Sequence, residues 1–198
     1  MAFHKTNPVR PAATDITAGI TPRIRARTRV GALLLALLIL SLSFSGCGAA
    51  EGAAVGQQFP EFTMLDLQGN TVTHEIFAEK DLTVVNIWGT FCPPCIKEMP
   101  DLGKLHRTLE ADYNATLVGI VVDVQDRATL DLANEILGQS QAEHLNLLVG
   151  EDVYEFLSQY DYVPTTLFVD SNGRLVGDPV VGGFTHDEYL AEVKARLQ

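Results

Sequence analysis

Leu82-Thr-Val-Val-Asn86-Ile-Trp88-Gly-Thr-Phe-Cys92-Pro-Pro-Cys95 is the stretch from which the rest of the chain is read. Leu82 to Trp88 is apolar, β-branched and of strand length, and it delivers two cysteines to the start of a helix. Past them, Met99, Leu102, Leu105 and Leu109 recur at spacings of three and four, which predicts an amphipathic helix from about Cys92 to Glu110. Pro100 falls inside it and is expected to kink it by removing one backbone donor. Leu117-Val-Gly-Ile-Val-Val122 is a second run of the kind found in sheets covered on both faces. Strand, helix, strand in this order makes a parallel crossover.

Working outward, Phe62-Thr-Met-Leu-Asp-Leu67 and Thr71-Val-Thr73 flank the turn former Gln68-Gly-Asn70, which predicts a hairpin. Residues 128 to 137 read as a helix, Leu145 to Val149 as a strand, and Asp152 as the cap of a helix holding Val153, Phe156 and Leu157. Thr166–Val169 and Arg174–Val181 flank Ser171-Asn-Gly173, a hairpin turn. The last helix opens on Thr185-His-Asp-Glu188, a capping box, with a buried stripe of Tyr189, Leu190, Val193 and Leu197. Mixed strands between helices give an α/β sandwich of three layers.

The two cysteines carry the chemistry. At their spacing the sulfurs lie within disulfide range, and Cys92 sits where the helix begins. Orphan amides and the positive end of the macrodipole stabilise a thiolate there, so this thiol is expected below the free value of about 8.5. Cys92 is then the attacking sulfur, and Cys95 resolves the mixed disulfide that forms. Cys95, one turn further in, is shielded and needs a base at that step. Pro94 stiffens the loop and fits the first helical turn, where a missing donor costs nothing.

Other chemistries fit this pattern poorly. A structural zinc site needs four ligands, and His4, His74, His106, His144 and His186 are scattered with no second cysteine pair. Residue 96 is Ile, where covalent haem attachment needs a His after the second cysteine. A purely structural disulfide at this spacing closes too small a loop to constrain the unfolded chain much. A peroxidase of the peroxiredoxin type needs Pro-x-x-x-Thr-x-x-Cys, whereas Asn86 stands four before Thr90 and Cys92 stands two after it. No metal is expected, and no cofactor beyond the redox-active pair itself.

Composition and charge set the surroundings. The chain has 198 residues, 14 Lys plus Arg against 25 Asp plus Glu, and 46% hydrophobic residues, which suits one globular domain and excludes collagen or a disordered chain. Residues 1–29 hold six of the basic groups and one acid, so the remainder is net −16. A nucleic-acid partner would need the opposite sign. Between Arg29 and Glu51 lie 21 residues without charge, opening with Val30-Gly-Ala-Leu-Leu-Leu-Ala-Leu-Leu-Ile-Leu40 after Arg23, Arg25, Arg27 and Arg29. Such a basic-then-apolar head is an export signal or a membrane anchor, with the Arg cluster kept cytoplasmic. Phe44-Ser-Gly-Cys47 resembles the lipobox of bacterial lipoproteins, in which the Cys is lipidated and becomes the mature N-terminus. Phe44 departs from the usual aliphatic residue. An uncleaved anchor is the alternative, since 21 residues just span about 30 Å of hydrocarbon, and full release is the third. All three put the rest outside the cytoplasm. The expected division is a signal and hydrophobic segment over 1–46, a flexible tether over 47–54 and one domain over 55–198.

Asn86-Ile-Trp-Gly-Thr-Phe-Cys-Pro-Pro-Cys-Ile-Lys-Glu-Met-Pro100 resembles the active-site stretch of the TlpA/ResA-like thiol-disulfide oxidoreductases, and Tyr162-Val-Pro-Thr-Thr-Leu-Phe-Val-Asp170 resembles their second fixed motif. The resemblance spans residues 55–198. It implies a thioredoxin fold with a central mixed sheet, an N-terminal β-hairpin and an inserted helix-strand segment near 128–149. It also makes Pro164 a cis proline facing the cysteines. The backbone at Val163 then pairs with a substrate chain like an added strand, and Trp88, Phe91, Pro93, Pro94 and Thr165 complete the docking surface. Phe91 departs from the Trp common at that position. Plain thioredoxin carries a buried Asp two residues before the Trp, where this chain has Asn86, which cannot take a proton. Glu98 matches a family Glu implicated in proton transfer and lies one turn after Cys95 on the same helix face.

The resemblance further implies a membrane-tethered protein that reduces cysteine pairs of exported proteins, notably apocytochrome c, and is recharged by an upstream membrane thiol donor. The direction of flow is not set by Pro93-Pro94, since related pairs run from about −270 to about −120 mV. The competing expectation is a non-catalytic binding module with the cysteines permanently oxidised.

Overall fold

The computed structural model describes residues 55–198, so the expected leader, the tether and Cys47 lie outside the described residues. Strands β1 (Thr63–Leu65) and β2 (Thr71–Thr73) form the expected antiparallel hairpin. The other strands are β3 (Leu82–Trp88), β4 (Ala115–Val121), β5 (Leu145–Leu148), β6 (Thr165–Asp170) and β7 (Val180–Val181), joined in one sheet of order β5-β4-β3-β6-β7. β3, β4 and β5 run parallel, while β6 and β7 add antiparallel pairings. The connections are filled by α1 (Pro93–Asp112), α2 (Arg127–Ser140), α3 (Glu151–Leu157), α4 (His186–Arg196) and a 3-10 helix at His74–Glu79.

Side chains alternate across the strands, and helices cover both faces, so β3 is buried at every position. Val84, Trp88, Leu117, Val121 and Phe168 point one way, onto Met99, Leu102, Leu105 and Leu109 of α1, Ala133 of α2, and Tyr189 and Val193 of α4. Val85, Ile87, Val118, Ile120, Leu167 and Val169 point the other way, onto Phe59, Phe62, Phe77, Val153 and Leu157. The layers are therefore helix, mixed sheet, helix, as the alternation of strand and helix patterns predicts.

Pro100 sits inside the helix as expected, and three other local expectations change. α1 continues as helix on both sides of Pro100, which faces solvent while the buried stripe on the other side holds the helix to the sheet. The cap of α3 is Gly150; Asp152 lies inside the first turn, where its carboxylate accepts the Thr63 N–H at 3.1 Å. The turn at Ser171-Asn-Gly173 forms, with Asp170 accepting from the N–H groups of Asn172 and Arg174. Its return strand pairs with β6 over Arg174–Val176, where the Asp170 N–H donates to the Arg174 carbonyl and the Val176 N–H to the Phe168 carbonyl, then breaks at Gly177, whose φ is +72°, and rejoins as Val180–Val181. In α4, Leu190 and Leu197 are half-buried, and Tyr189 and Val193 carry the buried stripe.

Candidate active site

β3 ends at Trp88, and the loop that follows is pinned by a residue just past β4. The Asp123 carboxylate accepts from the Thr90 N–H at 2.9 Å and from the Thr90 hydroxyl at 2.6 Å. The Cys92 N–H then donates to the Gly89 carbonyl at 3.2 Å, which turns the chain into α1. Cys92 is the N-cap: its Sγ accepts the Cys95 N–H at 3.2 Å, and Pro93 and Pro94 fill the first two helical positions. Cys92 and Cys95 are joined as a disulfide. Cys92 is 4% exposed and Cys95 has no exposed surface, so a visiting group meets the first sulfur only.

Opposite the disulfide, the Val163–Pro164 peptide is cis, and the Val163 carbonyl oxygen lies 3.5 Å from Cys92 Sγ. The Pro164 carbonyl accepts the Gly182 N–H at 2.8 Å, which fixes this loop to the strand edge. Two residues expected at the docking surface turn inward. Trp88, expected as both core and site wall, is wholly buried in the core cluster that also holds Cys92 and Cys95, and offers no surface to a ligand. Thr165 is buried too, and its hydroxyl donates to the Tyr162 carbonyl at 2.7 Å, so it braces the loop instead of facing a ligand. Pro93, Pro94 and Phe91 are exposed; the Phe91 ring folds over Gly89, where a Cβ would stand 2.6 Å from Cε1.

Beneath the cysteines lies a polar row that crosses the sheet on the α1 side. Thr166, Asn86, Gly119 and Asn146 are aligned in register on β6, β3, β4 and β5. Asn86 Nδ2 donates to Thr166 Oγ1 and to Glu98 Oε1, both at 3.1 Å. Glu98 is 3% exposed, and its Oε2 accepts from the Tyr189 hydroxyl at 2.7 Å and the Phe184 N–H at 3.2 Å. Burial pushes the Glu98 carboxyl above its ordinary value; the hydrogen bonds from Tyr189, Asn86 and Phe184 pull it back, and the Asp101 charge adds to the rise. A cleft of about 220 Å³ lined by Pro94, Lys97, Glu98, Asp101, Gly183, Phe184 and Thr185 runs from solvent to this carboxyl. At the other end of the row, Trp88 Nε1 donates to Asn146 Oδ1 at 2.9 Å across Gly119, where a Cβ would stand 2.0 Å from that oxygen.

The structure thus brings Cys92, Cys95, Glu98, Val163 and Pro164 to one end of the sheet. Sequence reasoning missed Asp123, Thr166 and Asn146 and placed Tyr189 only as core. For Thr166 and Asn146 a signal exists: each is a polar residue inside an apolar strand run.

A sequence model described as the AhpC/TSA family matches residues 55–177. The thiol-disulfide oxidoreductase ResA of Halalkalibacterium halodurans is 39% identical over 145 residues, covering 72% of this chain and 78% of that protein. The chain is a ResA-like thiol-disulfide oxidoreductase of the AhpC/TSA family. ResA of Bacillus anthracis is 25% identical over 147 residues, covering 73% of this chain and 79% of its own. Among solved structures, the thioredoxin domain of a thiol-disulfide oxidoreductase from Bacteroides vulgatus superposes with TM-score 0.57 at 25% identity, covering 72% of this chain and 96% of that one. A DsbF homologue from Corynebacterium diphtheriae gives TM-score 0.60 at 21% identity, covering 77% and 97%, and shows the shared fold alone. The fold is thioredoxin-like, and the enzyme is a protein-disulfide oxidoreductase.

Proposed function

We propose that this enzyme works as a reductant of exported proteins, tethered outside the bacterial cytoplasmic membrane by the segment that ends at Cys47. The observation that carries the catalytic part is the seat of Cys92: an N-cap sulfur touching the Val163 carbonyl, with a buried carboxyl one turn behind its partner. In the reduced enzyme the Cys95 N–H, the one first-turn amide that Pro93 and Pro94 leave for the sulfur, and the helix dipole hold Cys92 as a thiolate. A substrate strand pairs with the backbone at Val163, and the thiolate attacks its disulfide, releasing one substrate sulfur as a thiolate. Glu98 takes the proton of the Cys95 thiol. The Cys95 thiolate then attacks Cys92 Sγ, closes the internal disulfide and expels the second substrate sulfur, so two electrons pass to the substrate.

A membrane thiol donor reverses the last exchange and restores the dithiol. The tether is assigned from sequence, from the Arg cluster and the uncharged run before Glu51. No helix among the described residues is long and apolar enough to cross a membrane. Apocytochrome c before haem attachment is the substrate class that this reading favours.

The test is capture. Cys95→Ser in the full chain is expected to accumulate mixed disulfides with exported cysteine proteins, and mass spectrometry of the captured species names them. Both single cysteine variants are expected to lose disulfide turnover completely. A pair potential below about −300 mV, with no captured substrate, would instead mark a permanently oxidised binding module. The intact mass of the membrane-fraction protein reports whether Cys47 is lipidated.

A further inference from the structure

Two recesses adjoin the docking surface, and they differ in character. One is the cleft at Glu98, which Lys97 also lines. The other is a groove of about 230 Å³ beside the cis-proline loop, lined by Tyr160, Asp161, Tyr162, Thr165, Pro179 and Val181. Tyr162 and Val181 are 70% and 57% exposed, so the groove offers apolar surface that no part of the described chain covers. Thr165 pairs with Val181 across β6 and β7, and its hydroxyl holds the Tyr162 carbonyl, so these walls are fixed to the sheet.

Asp161 is the one charged residue that lines this groove. It is exposed, and none of the ion pairs among the described residues uses it. It stands two residues before Val163, whose carbonyl meets Cys92 Sγ, so at most about 7 Å of backbone separates the two. An apolar trough with one unpaired carboxylate suits a side chain made of an aliphatic stem and a cationic head. Lysine and arginine are built that way.

We propose that Asp161 is a specificity-determining residue, and that the groove takes a lysine or arginine side chain lying within three residues of the substrate's cysteine. This rests on reading Val163 as the segment with which a substrate strand pairs. A strand laid there continues in one direction past Tyr162 toward Asp161. Its alternate side chains share a side at intervals of about 7 Å, so one can enter the groove while the cysteine faces Cys92. The stem lies against Tyr162, Pro179 and Val181, and the cation pairs with the Asp161 carboxylate. A glutamate in the same place meets a like charge instead. The pair remains in contact with water, so its contribution is modest and carries no burial cost. The acidic surface as a whole also draws basic chains from a distance, but that attraction does not depend on which residue carries the cation.

The experiment uses the reduced full chain and peptides with one cysteine bound as a disulfide to a chromogenic thiol. One position, at one, two or three residues before or after the cysteine, carries Lys, norleucine or Glu. The second-order rate constant of thiol release is measured for wild type, Asp161→Asn, Asp161→Lys and Glu135→Gln, with Cys92→Ser as the background. Glu135 is exposed on α2, by the opposite edge of the sheet, and its variant loses the same charge as Asp161→Asn. Only ratios between peptides within one enzyme are compared, so a general change in activity cancels.

In wild type at low salt, Lys is expected to exceed norleucine by about three- to fivefold at one of these positions, the size of one exposed ion pair. The excess is expected to shrink as salt is raised. Asp161→Asn is expected to abolish it, Asp161→Lys to favour Glu at the same position, and Glu135→Gln to keep the wild-type order. A Lys excess that is equal at all positions, or that Glu135→Gln reduces as much as Asp161→Asn does, reports the acidic surface alone and overturns the proposal. An excess that survives in Asp161→Asn overturns it too. Thiol release with no preference at any position removes this inference and leaves disulfide reduction standing; no release from any peptide removes both.

Discussion

The two faces of the central sheet are made from the same strands and have opposite characters. On one, Phe59 meets Phe62, Phe77 and Phe156 at ring-centre separations of 5.9, 5.2 and 4.9 Å, and the contacts are edge-to-face or tilted. On the other, alternate residues of β3, β4, β5 and β6 carry the row Thr166, Asn86, Gly119 and Asn146, with Glu98 and Tyr189 above it. A period of two is enough to separate them: Val85 and Ile87 look toward the rings, Asn86 and Trp88 toward the cysteines. The first face supplies apolar burial, and the second gives up some of it to hold a buried carboxyl one helical turn from Cys95. Stability and chemistry should therefore respond separately to changes on the two sides.

The largest effect is expected from the aromatic face. Phe59 is 2% exposed and touches three rings, so Phe59→Ala should remove about 3–5 kcal/mol of stability, read from urea unfolding of the oxidised protein. Disulfide exchange per folded molecule should stay at the wild-type rate. A rate loss beyond the unfolded fraction would show that the faces are coupled. Next comes the polar row: Gly119→Ala places a methyl 2.0 Å from Asn146 Oδ1 and 3.2 Å from Trp88 Nε1. Breaking the bond between those side chains should cost about 1–3 kcal/mol and alter the emission of the single Trp. An unshifted spectrum would mean that the bond survives and that the glycine serves no spacing role.

Acid should also distinguish the two faces. His144, between α2 and β5, is 4% exposed with both ring nitrogens unpartnered, and its ring centre lies 6.2 Å from that of His106. Burial lowers its pKa to about 3, and His106 pushes the same way. The unfolded chain binds a proton near 6.5 and the folded one resists until about 3, so between those values the unfolded state holds more protons. Stability should fall by about 1.4 kcal/mol for each pH unit below 6.5 from this residue. His144→Leu should flatten that part of the pH–stability curve between pH 6 and pH 4, measured by urea midpoints; equal slopes in both proteins would reject it.

What the sequence made legible follows from the same contrast. Apolar periodicity exposes β3, α1 and β4 because burial on both faces leaves nothing to obscure the pattern, and the cysteine spacing locates the reactive end of the sheet. The polar row is different. Asn86 and Thr166 meet although 80 residues separate them, and only pairing of β3 with β6 aligns them. Tyr189 occupies a helical stripe position like any core aromatic, and periodicity does not report where a hydroxyl finds a partner. The return strand after Gly173 breaks at Gly177, a positive-φ glycine followed two residues on by Pro179, and the apolar run from Leu175 to Val181 hid that interruption from a periodicity reading.

The smallest effect expected is on stability, at Glu98, and its sign separates a residue kept for structure from one kept for chemistry. Burial raises this carboxyl above the unfolded value of 4.5, so the folded state holds the proton more tightly than the unfolded chain does. Its stabilising contribution is present below 4.5 and is lost as pH rises through the folded value. Glu98→Gln should therefore match wild type near pH 4 and melt slightly higher near pH 8, where wild type carries a buried charge and the amide does not. The same variant should slow the resolving step, since an amide takes no proton from Cys95. A variant that melts lower than wild type at pH 8 would show that the bonds to Tyr189, Asn86 and Phe184 outweigh the buried charge. Glu98 would then be a brace for the Gly183–Thr185 loop, and the polar face would owe its character to architecture.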